Sequence, residues 1–171
     1  LNKPEGYECS REPMFNKGVF TLLPDPLVER GVQPVGRLDS DTTGLLLLSD
    51  DGQFIHALTA PKRKVAKTYR VTLKHAADTT LVQKLLDGVW LNDETEATRA
   101  VSAELVAPTV LHLAISEGKY HQVKRMVAAA GNRVEALRRV AVGGLALPDD
   151  LAEGAWRWLS ADELALLRRE E

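Results

Sequence analysis

The chain has 171 residues, 44% hydrophobic and 27% charged, with a formal net charge of −2. Those proportions describe a soluble folded domain, or two small lobes sharing a core, and exclude a disordered or fibrous chain. The longest aliphatic run, Leu45–Leu48, is too short to span a membrane, and no charged n-region precedes an apolar stretch; the single Cys9 rules out an intramolecular disulfide and a cysteine-built zinc cage.

In chain order, Leu1-Asn2-Lys3-Pro4 reads as mid-domain text, so the sequence is expected to be a fragment of a longer protein. Pro24, Asp25 and Pro26 interrupt the first part. Val32–Leu38 and Leu45–Ser49 are predicted as short strands, with a loop of small polar residues, Asp39–Gly44, between them. Asp51–Ala60 is predicted as a helix ending before Pro61. In 66–73, Tyr69, Val71 and Leu73 share one side with Lys67, and Thr68, Arg70 and Thr72 face the other, the pattern of a half-buried strand. Asp78 is placed to cap a helix through Leu86 that stops at Gly88. Thr98–Val106 and Thr109–Ile115 form a predicted hairpin joined at Ala107-Pro108. Tyr120–Ala130 reads as a helix ending at Gly131, and Arg133–Val142 as a strand. Ser160 and Glu163 make a capping box for a last helix over Leu164–Arg168. Strands and helices are mixed without regular alternation, which predicts an α+β fold with a largely antiparallel sheet.

The net charge argues against nucleic acid, but its distribution does not. Residues 61–74 hold six basic residues and no acidic one, and 117–139 hold six against Glu117 and Glu135. Residues 149–171 hold seven acidic residues against three arginines, so an acidic tail masks two basic segments. On one face, those segments would make a footprint for a phosphate backbone; apart, they are a solvated surface.

Three segments can carry chemistry. Gly36–Gly44 can hold a carboxylate at the mouth of a cleft, or be a turn whose aspartates bond backbone N–H groups. A calcium loop starting at Asp39 is excluded: its twelfth position is Asp50 rather than glutamate, and its flanks read as strands. Ala66–Val71 sets Tyr69 among lysine and arginine, which suits stacking on an unpaired base, although a strand tyrosine is more often core. Glu117–Met126 opens a helix whose Val123, Met126, Val127 and Ala130 can face the core, with Lys124 and Arg125 flanking that stripe. The histidines show no metal-ligand spacing, and no P-loop, dinucleotide glycine fingerprint or nucleophile elbow is present.

Taken together, Leu1–Gly6, Gly36-Arg37-Leu38-Asp39 followed by Thr43–Leu48, Lys67-Thr68-Tyr69 and Glu117–Met126 resemble, in order, the motifs of the pseudouridine synthases. Gly143-Gly144 and Asp150-Leu151 strengthen the likeness to the branch that acts on small-subunit ribosomal RNA. The resemblance implies an α+β fold with a central mixed, mostly antiparallel sheet, flanking helices and a catalytic cleft. It implies one catalytic domain over 1–171, with lobes at roughly 1–65 and 66–171, and an N-terminal S4-type RNA-binding domain in the full-length protein.

The implied reaction breaks the N1–C1′ bond of a uridine, turns the uracil and rejoins it through C5, with no cofactor and no metal. The implied target is uridine 516 of 16S rRNA. The family's aspartate maps onto Asp39 and its base-stacking tyrosine onto Tyr69. Its basic partner, which keeps the carboxylate ionised, maps onto Lys124, with Arg125 as competitor. Arg37 maps onto the residue that fills the space the flipped base leaves, or else pairs with Asp39 or Asp41. Lys62, Arg63, Lys64, Lys67, Lys119, His121, Gln122 and Arg125 are the expected RNA contacts. A cytoplasmic monomer without a membrane partner is expected. The alternatives are a large-subunit (23S) rRNA synthase, a non-catalytic ribosome-assembly module and a metal-dependent phosphoesterase using Asp39 and Asp41.

Overall fold

The computed structural model describes residues 1–167. In chain order the elements are β1 (Asn2–Lys3), β2 (Tyr7–Glu8), β3 (Lys17–Gly18), α1 (Asp25–Glu29), β4 (Gln33–Pro34), β5 (Thr42–Leu45), β6 (Leu48–Ser49), α2 (Gly52–Thr59), β7 (Lys67–Leu73), α3 (Thr79–Asp87), β8 (Ser102–Ala107), β9 (Val110–Ile115), α4 (Gln122–Ala129), β10 (Val134–Val142), β11 (Leu145–Ala146) and α5 (Ala161–Leu166). Two compact units form: 1–65 with the chain from Arg138 onward, and 66–137.

In the first unit, β1 pairs antiparallel with β5 (Asn2 opposite Leu45, Lys3 opposite Gly44), β5 neighbours β10, and β10 pairs antiparallel with β11. Val35, Leu45, Leu47, Leu58, Val142, Leu145 and Leu167 bury one core. The Asp51 carboxylate caps α2 by accepting from Gln53 N at 3.0 Å and Phe54 N at 3.3 Å. The expected split into 1–65 and 66–171 needs a correction. The first boundary falls where expected, but Val142, Leu145 and Leu167 pack into the first core, so the chain returns to it through β10.

The second unit is a sheet in the order β10-β7-β9-β8, with β7 and β8 each antiparallel to β9. Alternation does the sorting: Val71 and Leu73 of β7 and Leu111, Leu113 and Ile115 of β9 meet Leu81 and Leu85 of α3 and Val123, Met126 and Val127 of α4. Each such side chain contributes about 1.5–3 kcal/mol on burial. Asp78 caps α3 through Thr80 N at 2.9 Å, and Gly88, at φ +112°, ends it.

Several predicted boundaries move. Only Gln33–Pro34 of the 32–38 stretch is strand, because Pro34 lacks an N–H and Gly36 turns at φ +76°. The strand expected over 45–49 is divided between β5, which starts inside the predicted loop at Thr42, and β6. Pro24, Asp25 and Pro26, expected to interrupt the first part of the chain, start a helix there: Pro24 is the N-cap of α1 and Pro26 lies in its first turn. The helix predicted from Tyr120 begins at Gln122, because His121 is left-handed (φ +46°, ψ +40°). Thr98 bridges Val89, and β8 starts only at Ser102. The capping box at Ser160 forms both of its bonds, whereas Arg168, in the predicted last helix, lies outside the described residues. Among the described residues no helix is long and apolar enough to cross a membrane.

Candidate active site

In the first unit Asp39 opens a tight turn in which Thr42 N donates to Asp39 O at 3.0 Å. The Asp39 side chain is exposed, not enclosed, while its neighbours Leu38 and Thr42 are buried. The loop is held from behind by Lys3. This lysine is 0% exposed, and its ammonium donates to Thr42 O at 2.7 Å, Ser40 O at 3.2 Å and Pro4 O at 3.1 Å. Gly6 N donates to the same Ser40 carbonyl at 2.8 Å. A buried cation is costly unless its protons are all bonded, and here three carbonyls supply the partners.

Burial pushes the Lys3 pKa below its ordinary 10.5, against the opposing pull of Cys9, Asp41, Asp39 and Glu5. Sequence reasoning gave Lys3 no role, since a lysine in a short motif reads as surface. It is a positioning residue for the Asp39 turn. Lys3→Met is expected to cost about 1–3 kcal/mol by stranding those carbonyls. Between its lowered folded pKa and 10.5, unfolded Lys3 keeps a proton that the folded form releases. Its contribution to stability therefore rises with pH across that window, and urea melts across it should lose this slope in the variant.

Arg37, Lys62, Arg63 and Lys64 are exposed, the last in a left-handed turn at φ +49° that closes the 3₁₀ turn Pro61–Arg63. Among the described residues, Asp39 and Asp41 are not joined by other His, Cys, Asp or Glu into a group of three that could hold a metal ion.

In the second unit Tyr69, half-buried on β7, packs against the core cluster, and Lys67 is partly buried. Lys124, half-buried, lies on α4. Arg125, its sequence competitor, is committed elsewhere: it pairs with Asp93 and donates to Tyr120 O at 2.9 Å. That bond to Arg125 holds the Asp93 carboxyl below its usual range. One expected RNA contact is corrected. Gln122 is 3% exposed; its carbonyl accepts from Lys119 N at 3.1 Å and its amide donates to Glu117 at 3.2 Å, so it serves the interior. Lys119, partly exposed, donates to Thr98 Oγ1 at 2.9 Å and pairs with Glu94 at 3.4 Å and Glu117 at 3.6 Å. His121 stacks on Tyr120 at 3.9 Å between ring centroids. Tyr120 is missed by the sequence reading, although two adjacent rings before a helix were a visible signal.

Comparison with known proteins agrees over most of the chain. Residues 1–129 match the family model described as RNA pseudouridylate synthase. The chain is 46% identical over 165 residues to the ribosomal small subunit pseudouridine synthase A of Yersinia pestis, covering 96% of this chain and 70% of that protein. It is 44% identical to the protein of that name from Escherichia coli strain K12, covering 96% and 71%. A crystal structure of a pseudouridylate synthase superposes with a TM-score of 0.92 at 41% identity, covering 98% of this chain and 71% of that one. With the fold, the sequence and the ordered motifs in agreement, the chain belongs to the pseudouridine synthases, the enzymes that isomerise uridine in RNA.

Proposed function

We propose that the protein converts one uridine of small-subunit rRNA, uridine 516 of 16S, to pseudouridine, with Asp39 as the reacting carboxylate. The small-subunit rRNA rests on the names of its relatives, the choice of uridine 516 on the resemblance alone, and the carboxylate on one observation: the turn carrying Asp39 is pinned through its carbonyls by a buried lysine, leaving the side chain exposed. Rigid backbone behind an exposed carboxylate is what a positioned nucleophile or base requires. In the reaction the N1–C1′ bond breaks and a C5–C1′ bond forms; the C5 proton is lost to solvent and N1 regains a proton. Asp39 adds to C1′ or takes the C2′ proton, and both routes require it ionised. Tyr69 is the base-stacking ring, Lys124 the catalytic cation, and Arg37 fills the place of the extruded base.

The exposed cations Lys62, Arg63 and Lys64 hold phosphates. Lys64→Glu should weaken RNA binding and flatten the slope of log K against log salt, because fewer counterions are released; an unchanged slope in filter-binding titrations would place Lys64 away from the RNA. The assignment itself is tested by incubating the protein and its Asp39→Ala variant with unmodified small-subunit rRNA and with a partly assembled particle. Carbodiimide labelling and primer extension then map new pseudouridine. A single Asp39-dependent stop at uridine 516 is expected. A stop on large-subunit rRNA instead would replace the target, and no stop on either would overturn the reading.

A further inference from the structure

We propose that Tyr120, stacked on His121, is a platform for an unpaired base of the substrate RNA next to the target uridine. Tyr120 is 74% exposed, and its ring lies on that of His121 at 3.9 Å and 20°. The pair exists because His121 takes a left-handed conformation, φ +46° and ψ +40°, that non-glycine residues rarely adopt. Strain of this kind persists only where the surroundings fix it. Here they do. Arg125 ties Tyr120 O to Asp93, and Lys119 ties the same turn to Thr98 and Glu94. Buried Gln122 bonds Lys119 N from below, and His121 O accepts from Arg125 N at 2.9 Å, which opens α4.

A large ring is therefore braced in water with its plane preset, four residues before Lys124. A flat π-face among basic residues is the chemistry that holds a splayed-out RNA base, and it is sequence-tolerant because every base has a π-face. This inference rests on the proposed rRNA substrate, and it adds a base-binding residue that the catalytic set does not contain.

The test uses RNA hairpins carrying the target uridine, with 2-aminopurine at each flanking position in turn. One position should be quenched by the protein, and the quench should be lost in Tyr120→Ala. Stacking of one base predicts that KM and Kd rise about 5- to 100-fold in Tyr120→Ala with little change in kcat. Tyr120→Phe, which keeps the ring, should restore them. An abasic nucleotide at the quenched position should weaken the wild-type protein and leave Tyr120→Ala unaffected. Quenching at no flanking position, or a Tyr120→Ala variant that binds as tightly as wild type, overturns the platform. Binding is read without turnover, so a protein that stacks the probe but converts no uridine in small-subunit rRNA would refute the target and not the platform.

Discussion

Asp39→Asn is expected to abolish pseudouridine formation while RNA binding and thermal stability stay within about twofold and a degree of the parent. The amide matches the carboxylate in shape, so the change removes charge and nucleophilicity and little else. The turn should survive, because what holds it is the backbone: Lys3 grips the carbonyls of Ser40 and Thr42, Gly6 N grips Ser40 again, and Thr42 N closes on Asp39 O. None of those bonds uses the Asp39 side chain. Loss of a reacting group that nothing else replaces costs on the order of 10⁴- to 10⁶-fold in kcat. The reaction expels the C5 proton, so tritium release from RNA carrying 5-tritiated uridine reads turnover directly, and filter binding reads affinity. Release at more than about a hundredth of the parental rate, with affinity intact, would remove Asp39 from the chemistry.

Local rules read best where the chain made local choices. The alternation through Tyr69, Val71 and Leu73 is the strand β7, and the Ser160–Glu163 box and the Asp78 cap formed as their side chains dictate. What escaped was decided at long range. Lys3 is buried only because carbonyls 37 and 39 residues away converge on its ammonium, and no window around residue 3 contains them. Gln122 sits in a basic, polar stretch and reads as an RNA contact, yet α4 turns it toward Met126 and the core. His121 fits a helical pattern and leaves it through a left-handed twist, flanked by Arg125 bonded to Asp93 and Lys119 bonded to Thr98, both partners more than twenty positions upstream. The return of the chain to the first unit depends on β10 being one unbroken strand across residue 138. The motifs were legible as a resemblance, and the physical work of Lys3 and Tyr120 within them was not.

Gly44→Ala is expected to be the most destabilising small substitution near the Asp39 turn. Gly44 has φ +105°, and a Cβ built there would lie 2.1 Å from Arg139 O and 2.9 Å from Arg139 N, both backbone atoms of β10. No rotamer relieves that contact, so the strands must part. Arg139 is 4% exposed and donates from Nε to Leu45 O at 2.9 Å, while its Nη2 has no partner among the described residues. Parting the strands takes away the bond from Nε of this buried guanidinium, at about 1–3 kcal/mol, and forcing alanine to positive φ adds about 1–2 kcal/mol. The sum, about 2–5 kcal/mol, is a substantial part of a stability margin of roughly 5–15 kcal/mol. It should also reach the chemistry, since Gly44 pairs with Lys3 across β1 and β5, and Lys3 holds the Asp39 turn. Gly31 provides the control: it also has positive φ, +84°, but nothing lies within 4 Å of its Cβ position. Gly31→Ala should cost only the conformational share, about 1 kcal/mol, with turnover unchanged. Urea midpoints for the two variants measure the difference. Equal shifts would mean that β5 does not approach Arg139 as closely as its geometry requires, and that the glycine serves only the turn.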